Sequence, residues 1–237
     1  MLPILVTTAT RPPEGIPFLK MTNASTRAVT AKASVFFFAA QGASRIVIAD
    51  ATDTLLLNAD DLSMLDQLGV KVEQLAYRQD DALIKQRGKG YGEGELIRFA
   101  LRTSVLLQQS DHFFKCTGKV YCRNFPAIRQ LIEKHKVSGI FWRWIGDGTA
   151  LIPWADARFY FTSRAFAEAH LIPAYLRTED GTSAAEYHLF NALNETCRQG
   201  KALRPLLTGF AGGSGEQYFD AGLGALDFSF PCWLGAP

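Results

Sequence analysis

Pro3-Ile4-Leu5-Val6-Thr7-Thr8 is a short, apolar, β-branched run, and Arg45-Ile46-Val47-Ile48-Ala49-Asp50 is a second of the same kind. Runs of this length and composition suit buried strands. Between them, Thr22 and Asn23 offer N-caps to a helix that runs to about Ala40 and is stopped by Gln41-Gly42. After the second strand, the spacing predicts a helix over 60–68, closed by Gly69, and a third strand over 70–77. The order β-α-β-α-β makes this an α/β chain with a mixed, mostly parallel sheet flanked by helices, a Rossmann-like arrangement.

The pattern continues outward from that core. A short helix is predicted over 80–87 and a longer one over 93–108, where Leu96, Ala100, Leu101 and Leu107 share a face. Residues 112–116 read as a central strand, and Asn124 with Pro126 opens a helix reaching about Lys136. Strands are predicted over 140–144 and 158–162, helices over 163–169 and 183–197, and a late strand over 203–208. The glycine-rich stretch 209–215 reads as a loop, and the aromatic segment 228–234 as a tail packed back on the domain. No repeat or linker interrupts the chain, so 1–237 is expected to be one domain.

Of the 237 residues 48% are hydrophobic and 20% charged, enough to bury a substantial core. With 25 basic and 23 acidic residues the net charge is +2, which makes no electrostatic case for nucleic acid. Any anion site must therefore be a local cluster. The four cysteines, Cys116, Cys122, Cys197 and Cys232, have no C-x-x-C spacing and are expected to be buried free thiols in a reducing compartment. The N-terminus lacks a basic region before its apolar run and reads as a strand, not a signal peptide. No stretch approaches the roughly 20 apolar residues of a membrane span. A soluble cytoplasmic protein is the expectation, with the apolar C-terminus a candidate contact for the inner face of a membrane.

In open α/β sheets ligands bind beyond the carboxyl ends of the strands. That places Thr8, Arg11 and Asp50 beside the expected crevice, with Asp50 a candidate acceptor for a base or ribose. Lys89-Gly90-Tyr91-Gly92-Glu93-Gly94 joins glycines, which let backbone approach a ligand, to a lysine charge near the start of a long helix. Glu93 and Glu95 can instead compensate that terminus themselves. The segment is neither a P-loop nor a dinucleotide fingerprint, because G-x-x-x-x-G-K-[ST] is absent and a helix precedes it. Phe113-Phe114-Lys115-Cys116-Thr117-Gly118-Lys119 adds a second junction, with Lys115, Thr117, Gly118 and Lys119 at a strand end. Two such junctions point to a phosphorylated ligand, with a nucleotide sugar the leading candidate.

Trp142-Arg143-Trp144 puts two rings on one strand face, suited to a sugar acceptor or to core packing. Glu186 follows a glycine turn at a helix start, where it can take a proton from an acceptor hydroxyl or compensate the helix terminus. His188 is a secondary candidate beside it, and Asp156 precedes, and Arg158 opens, a strand on the acceptor side. The loop 209–215 can fold over a diphosphate or lie free at the surface. No metal site is indicated: His112, His135 and His170 lack ligand spacing, and no D-x-D occurs near the second junction.

The segments GKGYGEGELIRFAL, FFKCTGKVYCRN, DARFYFTSRAF, AAEYHLF and PLLTGFAGGSGEQY, spread over about residues 85 to 218, resemble bacterial glycosyltransferases of surface-polysaccharide and lipopolysaccharide assembly. The resemblance implies a GT-A-like fold, a nucleotide-sugar donor and a saccharide or lipid-linked acceptor. It implies a nucleotide-binding half over 1–110 and an acceptor half over 111–237. By the same comparison Glu186 falls where the acceptor base lies, and Asp156 is a second catalytic candidate or a metal ligand. Two departures stand out: the acidic pair is reduced to Ala185-Glu186, and Lys119 replaces the arginine of the pattern. Without a D-x-D, manganese or magnesium is optional, and Lys115 or Lys119 can neutralise the leaving group. The alternatives are a sugar nucleotidyltransferase and a non-catalytic carbohydrate-binding module. Against the first, Thr8-Ala9-Thr10-Arg11-Pro12-Pro13 lacks a G-x-G-[ST]-R loop.

Overall fold

In a computed structural model of the chain, which describes residues 1–142, 154–197, 200–210, 215, 217–219 and 226–232, the first two strands pair as their composition requires. β1 (Ile4–Thr8) lies parallel to β2 (Arg45–Asp50), with Thr8 opposite Asp50. Helix α1 (Ala24–Ala40) joins them, and its cap is Asn23, whose side chain accepts from the Thr26 amide. Helix α2 (Ala59–Gln67) leads to β3 (Lys71–Ala76), parallel to β2. Helices α3 (Asp81–Arg87), α4 (Lys89–Thr103) and α5 (Val105–Gln108) then carry the chain to β4 (His112–Thr117), parallel to β1 on its other side.

From there the sheet changes character. A short β5 (Val120–Cys122), helix α6 (Phe125–His135) and β6 (Gly139–Trp142) precede β7 (Phe159–Ser163), which inserts antiparallel between β4 and β6. A helical stretch of α7 (Arg164–Phe166), a π-turn (Ala167–Leu171) and α8 (Ile172–Leu176) follows, then α9 (Ala185–Thr196), β8 (Gly200–Leu203), β9 (Leu207–Phe210), β10 (Gln217–Phe219) and β11 (Leu226–Cys232). Among the described residues the main sheet runs β3-β2-β1-β4-β7-β6-β11-β8, and a small sheet runs β10-β9-β5. The fold is thus α/β and Rossmann-like, parallel in its first half and antiparallel beyond β4. The core beneath β4 is aromatic: the Phe114 ring centroid lies 5.0 Å from those of both Phe125 and Phe161.

Several local readings change. The long helix begins at Lys89, not at 93, so the glycines lie inside it. Their reason is close packing: a Cβ at Gly90 would stand 2.8 Å from Thr178 Cγ2, and one at Gly94 only 2.4 Å from Tyr175 Cβ. The same helix ends at Ser104, where Glu73 accepts from the amides of Val105 (2.9 Å) and Leu106 (3.0 Å) and starts a new helix. The late strand splits into β8 and β9, because Asn124 accepts from the Leu206 amide at 2.8 Å instead of capping α6. Cys116 and Cys122 are free and buried, but Cys197 is disulfide-bonded, which corrects the expectation of four free thiols. No described helix is long and apolar enough to cross a membrane.

Gly94→Ala tests the packing account by its sign. Helix propensity alone would stabilise the variant by about 1 kcal/mol. Overpacking against Tyr175 is expected to win, with a net loss of about 1–3 kcal/mol in a urea titration.

Candidate functional site

Parallel pairing brings the carboxyl ends of β1 and β4 together, with Thr7 opposite Thr117. The loops beyond them, the start of α4 and the start of α9 enclose a cavity of about 610 Å³. Its wall takes residues from both sides of position 110, including Arg27, Lys89, Lys119, Arg158 and Glu186.

The floor is a polar cluster built from three elements: Thr7, Glu93 and Thr117 line the cavity, and Lys115 lies beneath them. Lys115 is fully buried, and its ammonium stands 2.6 Å from Glu93 Oε1. It also donates to Thr117 Oγ1 (3.0 Å) and to the Ala157 carbonyl (2.5 Å). Glu93 Oε1 accepts in addition from Thr7 Oγ1 (2.8 Å) and Thr117 Oγ1 (3.3 Å). Burial alone would raise the Glu93 carboxyl, but the Lys115 charge, the hydrogen bonds from Lys115 and Thr7 and the field of Lys119 outweigh it. Glu93 is therefore held below the ordinary carboxylate range and stays ionised.

Gly118 then turns the chain, its amide donating to the Thr7 carbonyl at 2.8 Å. A Cβ there would stand 3.1 Å from that carbonyl oxygen, so glycine suits the approach. The turn delivers Lys119 into the cavity, where its ammonium has no hydrogen bond or ion pair to a described residue. Burial brings Lys119 down to about 8, helped by Arg27, Lys115 and Lys89 and opposed by Glu93. Arg27, 5% exposed, donates through Nε to the Ala9 carbonyl (2.5 Å) and through Nη1 to the Met21 carbonyl (2.8 Å). Neutral acceptors hold its geometry and leave its charge for the cavity.

Glu186 projects from the first turn of α9, and no other described residue donates to its carboxylate. Its proton affinity is raised, chiefly by burial, with Glu93 and Asp156 adding to it and its own backbone amide and Lys89 opposing. Its carbonyl accepts from the Ala155 amide at 2.9 Å, which fixes the helix start against the 154–158 segment.

Of the residues singled out in the sequence, Thr8, Lys89, Gly90, Thr117, Gly118, Lys119, Arg158 and Glu186 line this cavity. Six do not. Arg11 is exposed and outside it, with only its amide engaged, on Thr52 Oγ1. Asp50 is buried with both oxygens spent: Oδ2 accepts from the amide and hydroxyl of Thr10 (2.8 and 2.6 Å), Oδ1 from those of Thr52 (2.7 and 2.5 Å). It ties two loops together. Lys115 sits below the floor. Asp156 is clamped by Arg158, at 2.9 Å from Nε and 2.7 Å from Nη2, so it orients that arginine. Trp142 is core, stacked on Phe159 and donating to the Leu203 carbonyl. His188 pairs with Ser183 Oγ at 2.9 Å outside the wall. Arg143 and Trp144 lie outside the described residues, as do residues 211–214 of the glycine loop.

The helix terminus at Lys89 is not an open anion site either. Asp180 Oδ2 accepts from the Lys89 amide at 2.8 Å, and a Cβ at Gly88 would collide with that carboxylate. The sequence reading also missed Thr7, Arg27, Phe18 and Trp154. The first two carry no motif, and only the juxtaposition of strand ends shows their use.

Among the described residues no three His, Cys, Asp or Glu side chains are grouped to hold a metal ion. No protein-family model matches the chain, and no curated protein matches it in sequence. Similar solved structures include HddC from Yersinia pseudotuberculosis, at 12% identity and a TM-score of 0.39, covering 78% of this chain and 84% of that one. Another, from Bacillus anthracis, is assigned as a glucose-1-phosphate thymidylyltransferase in complex with a sucrose, at 11% identity, a TM-score of 0.40 and 82% coverage of each chain. Likeness at this level carries no argument about chemistry.

Proposed function

We propose that the chain is a transferase acting on a nucleotide-activated sugar, and within that class a glycosyltransferase with a saccharide or lipid-linked acceptor. The observation that supports it is the joint presence, in one cavity of about 610 Å³, of the Lys119 ammonium, unpaired among the described residues, and the Glu186 carboxylate. Arg27, Lys89 and Arg158 add positive charge to the same wall. In this reading the diphosphate lies against Lys119 and Arg27. The bond from the anomeric carbon to the phosphate oxygen breaks, and its electron pair stays on the diphosphate, where the cations stabilise it. The acceptor oxygen bonds to the anomeric carbon, and its proton passes to Glu186. Bacterial surface-polysaccharide synthesis is the setting that the sequence resemblance suggests.

A second reading is sugar nucleotidyl transfer. The wall sets four basic side chains, Arg27, Lys89, Lys119 and Arg158, among four carboxylates, and those cations suit a triphosphate as well as a diphosphate. There the attacking phosphate oxygen is already anionic and needs no base.

A thermal-shift screen over nucleoside diphosphates and triphosphates tests the shared premise, because a ligand that binds only the folded chain raises its midpoint. At least one is expected to shift the wild type and not Lys119→Ala. The shift is expected to fade as pH rises from about 8, where Lys119 loses its proton. In Lys119→Arg it should persist to higher pH, since a guanidinium stays charged. No shift with any nucleotide, or one that Lys119→Ala leaves intact, removes the proposal. Release of the nucleoside diphosphate from a nucleotide sugar selects the first reading, and of inorganic pyrophosphate from a nucleoside triphosphate the second.

A further inference from the structure

Two large aromatic side chains are left in solvent at the mouth of this cavity. Phe18 is 63% exposed and Trp154 36% exposed, and both line it. Exposed large apolar groups beside a cleft are the informative exception to burial. Phe18 also holds a φ of 54°, a left-handed conformation that bulky residues rarely adopt, so its placement is imposed by the loop around it. That loop turns on Pro12, Pro13 and Pro17.

Both rings reach the cavity beside the segment that carries Glu186. The edge of Phe18 would lie 3.7 Å from a Cβ at Gly181, in the turn that leads into α9, and the Lys89 ammonium stands 6.0 Å from its ring centroid. Trp154 precedes Ala155, whose amide donates to the Glu186 carbonyl. The arrangement is a carboxylate with no donor from another described residue, near two flat apolar faces, with a cation next to one of them. A pyranose presents what these groups complement: an apolar face of C–H groups that packs on an aromatic ring, and hydroxyls that donate to a carboxylate.

We propose that Phe18 and Trp154, beside Glu186, form a saccharide-binding subsite at the cavity mouth, distinct from the cationic part of the wall around Lys119. The proposal rests on the transferase reading for its place in a reaction, but not for the binding itself. Trp142, the tryptophan singled out in the sequence for this role, is in the core, and Trp154 takes its place.

Saturation-transfer NMR with the methyl glycosides of glucose, galactose and mannose tests it, with a uridine diphosphate thermal shift as a separate arm. Wild type is expected to bind at least one methyl glycoside. Phe18→Ala and Trp154→Ala should each weaken that binding about tenfold, the scale of one lost aromatic contact, and Phe18→Tyr should retain it. Phe18 is exposed, so its removal leaves the core intact, and the ligand-free midpoint verifies folding. Unchanged affinity in both alanine variants, or no glycoside bound by wild type, overturns the subsite. Glycoside binding without a shift from any nucleotide in the wider screen overturns the transferase reading and leaves the subsite standing. A nucleotide shift without glycoside binding does the reverse.

Discussion

Glu186→Gln is expected to lower transfer by roughly 10²–10⁴-fold, the usual worth of a positioned general base, while nucleotide affinity stays within a few-fold of wild type. The amide keeps the shape and loses the proton acceptor. Glu186 has no other described donor to disappoint, so the substitution should not unfold the chain. Its raised proton affinity also fixes the acid side of the pH profile. A base must be ionised, so activity should rise with pH through a value above the ordinary carboxylate range, because burial disfavours the charge. It should fall again from about 8, as Lys119 deprotonates. The resulting bell is measured as kcat/KM against pH with a nucleotide sugar. Near-normal turnover in Glu186→Gln would exclude this carboxylate as the base.

Lys115→Met is expected to cost about 3–5 kcal/mol near neutral pH, measured by urea unfolding, since it strands Glu93 with its charge and no cation in contact. The double variant Lys115→Met with Glu93→Gln should recover part of that loss, because the two side chains touch and their effects are not additive. The pH dependence separates the pair from simple packing. In wild type the Glu93 pKa is depressed on folding. Its contribution is therefore complete above the unfolded value of about 4.3 and is lost as pH falls through the folded value. In Lys115→Met burial is left to dominate, and the folded pKa should rise above the unfolded one. The sign inverts, protonation then favours the folded state, and the deficit narrows as pH falls toward about 4. A deficit that is constant with pH would mean that Lys115 contributes only its packed methylenes.

The two glycine-lysine junctions were visible in the sequence, but they had different uses. Gly118-Lys119 is a true turn into the cavity, because a strand ends there and the neighbouring strand's carbonyl is close. Gly90 and Gly94 had the same composition, yet they sit within a helix and admit Thr178, Ala185 and Tyr175 from 81 to 95 residues away, while Gly92 admits Ile84 and Gln79. No local pattern distinguishes a glycine that admits a phosphate from one that admits another helix. Asp50 misled for a related reason: the strand-end position was right, but Thr10 and Thr52 take up its oxygens.

The succession of strands and helices through residue 87 was determined by the chain alone. Apolar runs, caps such as Asn23 and Asp80, and stops such as Gly69 act within a turn or two of themselves. The antiparallel insertion of β7 beside β4, and the meeting of Thr7, Glu93, Lys115 and Thr117 at one floor, were decided only by tertiary structure. A buried charge or an exposed ring has meaning only through what stands opposite, and partners 22 to 110 positions apart leave no periodic trace in the sequence.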